Sequence, residues 1–150
     1  MEMEATKWMA HVQNENRKLE EFPKVNHSDI EKLSSIGIIT VNQFLEASGT
    51  IKDQRDIAEK SGASNETISE LIKLSILSRF PGIKKIRARL FYEAGLDSYS
   101  KIAALEPEEV QQVQKEYIRK TGFKGSVSTY SEALSAVMMA RYLVEHDSMK

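Results

Sequence analysis

Residues 77–98 read LSRFPGIKKIRARLFYEAGLDS, and the fold turns on how this stretch divides. Pro81-Gly82 is a chain-reversing pair. Behind it, Ile83, Ile86, Leu90, Phe91 and Ala94 fall on one arc of a helical wheel, the core face of an amphipathic helix that ends at Gly95. Lys85 and Arg89 stand four apart on the opposite side with Tyr92 beside them, and Arg87 falls inside the apolar arc, where it is expected to snorkel or pair internally. The stretch therefore reads as helix, tight turn, helix.

Working outward, the same helical period continues in both directions. Upstream, "ETISELIKLSILSR" is a helix opened by Ser64 and terminated by Pro81 and Gly82. "DQRDIAEKSG" is another, with Gly62 at its C-terminal end. Thr40 caps a short helix carrying Phe44 and Leu45, and Ser28 with Glu31 has capping-box spacing before a helix through Ile30 and Leu33 that stops at Gly37. Trp8, Met9, Val12 and Leu19 suggest a first amphipathic helix ending before "FPKVN". Downstream, Ser98 opens a short helix, Pro107 occupies a first helical turn, and "EEVQQVQKEYIRKTG" runs to Gly122. The loop "FKGSVS" leads to a last helix opened by a Thr129–Glu132 capping box. No run alternates apolar and polar residues between hairpin turns, as strands require. The expected fold class is all-α.

The order of elements repeats. "GIITVNQFL" at 37–45 aligns with "GLDSYSKIA" at 95–103, and "AEKSGAS" at 58–64 with "IRKTGFK" at 118–124, glycine on glycine each time. A helix that ends and reverses needs positive φ at the turn, which glycine adopts without a clashing Cβ. The sequence thus predicts an N-terminal helical extension over 1–25 and a duplicated domain over 26–150, with helix-turn-helix units at about 28–80 and 86–145.

These residues resemble a known family, the helix-hairpin-helix-like domain of unknown function 4332. The matching features are Gly37-Ile38-Ile39-Thr40 with Phe44 and Leu45, "AEKSGAS", a helix ending in "LSRFPGI", then "EAGLDSYSKIA" and "PEEV", in one order over roughly 28–143. The resemblance implies tandem helix-hairpin-helix-like units of the SAM/HhH type, in the same superfamily as small DNA-binding hairpin modules, and implies no activity. Nucleic-acid-binding hairpins of that type usually read "PGIG"; here Pro81, Gly82 and Ile83 are followed by Lys84, so a side-chain contact takes the place of a backbone one.

Composition narrows the function. The absence of cysteine excludes disulfides, thiolate metal sites and cysteine nucleophiles. A net charge of -1 over 150 residues excludes coating nucleic acid through bulk charge, so any phosphate binding is local. The start, "MEMEATKW", lacks the positive segment and apolar run of a secretory signal, and no stretch approaches a membrane span; the expectation is a cytoplasmic protein with no membrane partner. His11, His27 and His146 have no ligand spacing, and Glu108-Glu109 are ordinary partners of a helix dipole. No catalytic, metal or cofactor site is expected, and the chain reads as non-enzymatic.

Two functions stay open. In one, Gly82, Lys84, Lys85, Arg89 and Lys124 bind the phosphate backbone of DNA or RNA without sequence specificity, the loop "GFKGS" bringing Lys124 to the ligand. In the other, those cations form a solvated helix face, and the domain is a protein-interaction or scaffolding module that pairs with a partner or a second copy through Trp8, Met9 and Val12.

Overall fold

Proline and glycine placement cuts the described chain into eight short helices. The computed structural model describes residues 16–146, so Trp8, Met9, His11 and Val12 lie outside the described residues. The helices are α1 (His27–Ser35), α2 (Val41–Ala47), α3 (Ile51–Ser61), α4 (Asn65–Leu77), α5 (Lys85–Glu93), α6 (Tyr99–Ala103), α7 (Pro107–Thr121) and α8 (Tyr130–His146). Among the described residues there is no strand, only an isolated antiparallel bridge between Lys18 and Thr40. The described residues fall into two compact units, 16–76 and 77–146. No described helix is long and apolar enough to cross a membrane.

In the first unit, α1 packs on α3 and α2 on α3. The cap of α1 is Asn26, two residues before the expected Ser28: its side chain accepts from the Asp29 N–H at 3.0 Å, which leaves Ser28 exposed. At its other end α1 closes as expected on Gly37, at φ 86°, with Ile38 N–H donating to Leu33 O at 3.0 Å and Gly37 N–H to Ser34 O at 3.0 Å. Thr40 and Gln43 form a reciprocal capping box on α2, and the Ser64 hydroxyl accepts from Thr67 N–H at the start of α4.

Residues 16–25 are tied into the first unit. Leu19 N–H donates to Ile39 O and Val41 N–H to Arg17 O, both at 2.9 Å, while Leu19, Phe22 and Val25 are buried in the first unit. Burying each such side chain stabilises by about 1.5–3 kcal/mol, which holds residues 19–25 against the first unit.

The second unit repeats the succession. Phe80-Pro81-Gly82-Ile83 is a type II turn, with Ile83 N–H donating to Phe80 O at 3.1 Å and Gly82 at φ 78°. It follows the end of α4 at Leu77, earlier than the expected stop at Pro81. The α5 helix closes on Gly95 with Leu96 N–H on Phe91 O at 2.8 Å, the same bond that Ile38 makes in the first unit. Ser98 caps α6, Pro107 begins α7, and α6 and α7 pack on α8. The small buried side chains of Ala133, Ala136 and Ala140 keep the approach to α8 close, and Arg141 takes up the carbonyls of Ala103 at 3.1 Å and Leu105 at 2.8 Å.

The recurrence extends beyond the matched glycines. Ser61 donates to Ile57 O and accepts from Ala63 N–H; Thr121 does the same with Tyr117 O and Phe123 N–H. Phe22-Pro23-Lys24-Val25 stands 58 positions before Phe80-Pro81-Gly82-Ile83, with the aromatic and aliphatic members buried in both and Lys24 at φ 63° where Gly82 has 78°. The units depart at one link: three residues, 62–64, join α3 to α4, whereas eight, 122–129, join α7 to α8.

Candidate functional site

The longer link forms one wall of a cleft of about 510 Å³ lined by Gly82, Lys84, Lys85, Ile86, Arg87, Lys124, Gly125, Ser126 and Glu132. Four of the five residues expected to bind nucleic acid, Gly82, Lys84, Lys85 and Lys124, come together here. The turn at Gly82 delivers Lys84 to the N-cap of α5, where it offers no side-chain acceptor to the first turn. A lysine at this position leaves the positive end of the helix without the oxygen that an N-cap normally supplies. Lys84 and Lys124 are exposed, and Lys85 is half-buried.

Three side chains fix the loop that carries Lys124. The Gln114 carboxamide oxygen, fully buried, accepts from Ser128 N–H at 2.8 Å, Gln111 Nε2 donates to Ser128 O at 3.0 Å, and Arg87 Nη1 donates to Ser128 Oγ at 3.1 Å. Arg87 Nη2 also donates to Ser126 Oγ at 3.3 Å. Gly125 is required by packing: a Cβ there would lie 2.7 Å from the Phe123 ring and 3.3 Å from Ile86 Cγ2.

Glu132 is the one carboxylate among the lining residues, and it is committed. The Thr129 N–H donates to it at 2.8 Å and Arg87 Nη1 at 3.1 Å. The Thr129 hydrogen bond above all, then Arg87, hold its pKa below the ordinary carboxylate value against the opposing effect of burial. Arg87 therefore pairs internally, as its place on the wheel implied. With Arg87 and Glu132 paired, Lys84 and Lys124 are the exposed cations of the cleft.

Arg89, the fifth, is not among the residues lining this cleft. Its side chain is 3% exposed, lies 3.8 Å from the Glu93 carboxylate and stacks over Tyr92 at 5.5 Å from the ring centroid; Tyr117 donates to the same Glu93 at 2.7 Å. Ile86, expected in the core, is 46% exposed and lines the cleft instead. The physical reason is that Ala88, Arg89, Leu90 and Phe91 are all buried. Four consecutive residues sweep most of a turn, so the middle of α5 is covered all round and a wheel with one buried face misassigns both ends. Arg79, the remaining cation of the opening stretch, does not line the cleft.

Elsewhere, His27 and His146 are exposed, and no three described His, Asp or Glu residues form a group able to hold a metal. Glu109 completes a capping box with Glu106. The clamp on Ser128 and the role of Gly125 escaped the sequence reading, although the five extra residues between the matched Gly122 and the last helix marked the place.

Among curated proteins and among solved structures nothing matches the chain. A family model does match, across residues 23–143 of 150, from the first Phe-Pro turn almost to the end of α8, and on that match the chain belongs to the domain of unknown function (DUF4332) family.

Proposed function

We propose that the protein is a non-enzymatic binding domain of the cell interior, and that the cleft at the start of α5 takes phosphate groups of DNA or RNA without regard to base sequence. The observation that carries this reading is the convergence of Lys84, Lys85 and Lys124 on one cleft whose carboxylate is already paired with Arg87. Lysine ammonium groups act as point charges on phosphate and release condensed counterions when they bind. In this reading the two units are helix-hairpin-helix-like modules in tandem. In the second, Lys84 replaces the backbone approach that a further glycine would give.

The net charge of -1 supplies no long-range attraction, so contact is short-ranged and steeply salt-dependent. The test is a titration with duplex DNA and duplex RNA at about 50 mM and about 200 mM salt, where each phosphate contact contributes a slope near −0.9. Lys84→Glu and Lys124→Glu are expected to weaken binding across all sequences. Binding indifferent to both reversals overturns the reading.

A second reading, a protein-interaction or scaffolding module, is favoured by the first unit, where Ile36, Ile39 and Ile51 are 37%, 43% and 67% exposed. It is tested by light scattering on the full chain: Ile39→Asp and Trp8→Ala are expected to lower the mass of a self-associated species, and unchanged mass in both variants contradicts self-association.

A further inference from the structure

We propose that the cleft selects the terminal phosphate of a nucleic-acid strand, a phosphomonoester, over the phosphodiesters between the ends. This rests on the reading of the cleft as a nucleic-acid phosphate site and narrows it to one kind of group. A strand running through a groove presents singly charged groups one after another, and proteins that follow it lay cations along a track. Here the cations are gathered at a point: Lys84 and Lys85 are neighbours in the chain, and the loop after α7 brings Lys124 to the same cleft.

A phosphomonoester matches such a point. It carries about −1.5 to −2 charge near pH 7 and offers three acceptor oxygens. The cleft supplies ammonium donors and one oriented hydroxyl. Ser126 Oγ accepts from Arg87 Nη2 at 3.3 Å, so its own proton is left to donate outward. Arg87, held by Glu132 and Ser128, fixes where that hydroxyl sits and does not itself need to reach the ligand. Gly125, packed against Ile86, keeps Ser126 and Lys124 close to the first turn of α5. A lone lysine patch would bind either kind of phosphate; the added hydroxyl and the shared cleft favour the group with more charge and more acceptors.

The experiment compares one duplex sequence carrying 5′-phosphate, 3′-phosphate or hydroxyl ends, by competition in fluorescence anisotropy with the full chain. One phosphorylated end is expected to bind about tenfold more tightly than hydroxyl ends, and the advantage to disappear below the second phosphate pKa of about 6. Ser126→Ala and Lys124→Gln are expected to shrink the advantage, with unchanged melting temperature as the check that both fold. Equal binding of all three ends, with salt dependence retained, overturns this inference and leaves the backbone reading standing. No binding of any oligonucleotide removes both. A phosphoserine peptide that competes as well as the phosphorylated duplex overturns the assignment to nucleic acid.

Discussion

The two units make the same joint with opposite charge. The third residue of α1 is Asp29, and its carboxylate accepts from Thr67 Oγ1 at 2.5 Å and Ser64 Oγ at 3.1 Å, Thr67 being the third residue of α4. The third residue of α5 is Arg87, which donates to Ser128 Oγ and to Glu132, the third residue of α8. In the first unit the carboxylate sits on the earlier helix, in the second on the later one. The lesson is that the scaffold fixes where the two helix starts meet but not which of them carries the acid. With the acid moved to α8 and the capping Asn26 replaced by Lys84, the first turn of α5 holds cations and no carboxylate.

The two joints are expected to differ most in what they contribute to stability. Asp29 is 5% exposed, and Asp29→Ala strips the buried Thr67 hydroxyl of its acceptor. The expected loss is about 2–4 kcal/mol, read from urea denaturation. Arg87→Ala leaves a Glu132 side chain that is 38% exposed and can return to water, so about 1–2 kcal/mol is expected. Equal losses in the two variants would mean that burial does not distinguish the joints.

Acid sharpens it. The Thr67 hydrogen bond, foremost, holds the Asp29 pKa below its ordinary 3.8 against the effect of burial. A carboxylate whose pKa is lower folded than unfolded adds stability above the unfolded value and loses it as pH falls through the folded one. The melting temperature is therefore expected to drop as pH falls below about 4, and Asp29→Asn to flatten part of that drop. A variant that follows the wild-type curve would remove Asp29 as a cause.

Smaller effects test the exchange of single residues between units. Lys84→Asn imports the cap of α1 into α5 and is expected to stabilise by about 0.5–1 kcal/mol in thermal unfolding. Lys24→Gly imports the glycine of the second turn into the first, where lysine is held at φ 63°, and is expected to stabilise by about 0.5 kcal/mol, the relief of left-handed strain offset in part by a freer unfolded chain. A destabilised Lys24→Gly would mean that its side-chain contacts outweigh its backbone strain.

What was legible in the sequence was local. The closures at Gly37, Gly62, Gly95 and Gly122 and the caps at Thr40, Ser98 and Thr129 depend on residues within about five positions of one another, and each forms as expected. The all-α class followed from the same signals. The convergence of Lys84 with Lys124 was legible only as a possibility of loop reach, because forty residues separate them. The inward turn of Arg89 was not legible, since Glu93, its partner one turn along α5, is itself held by Tyr117 of α7. Nor was the Gln114 bond to Ser128, which ties a buried carboxamide to a loop fourteen residues away.

The most direct measurement is the salt dependence of duplex binding for the wild type and Lys84→Asn, taken beside their melting curves. Engagement of phosphate by the cleft lysines gives a negative slope of about 0.9 for each phosphate neutralised, and the variant is expected to flatten it while melting at a higher temperature. An unchanged slope in a stabilised variant, or binding that salt does not weaken, would contradict the claim that the second unit gave up a helix cap for a phosphate site.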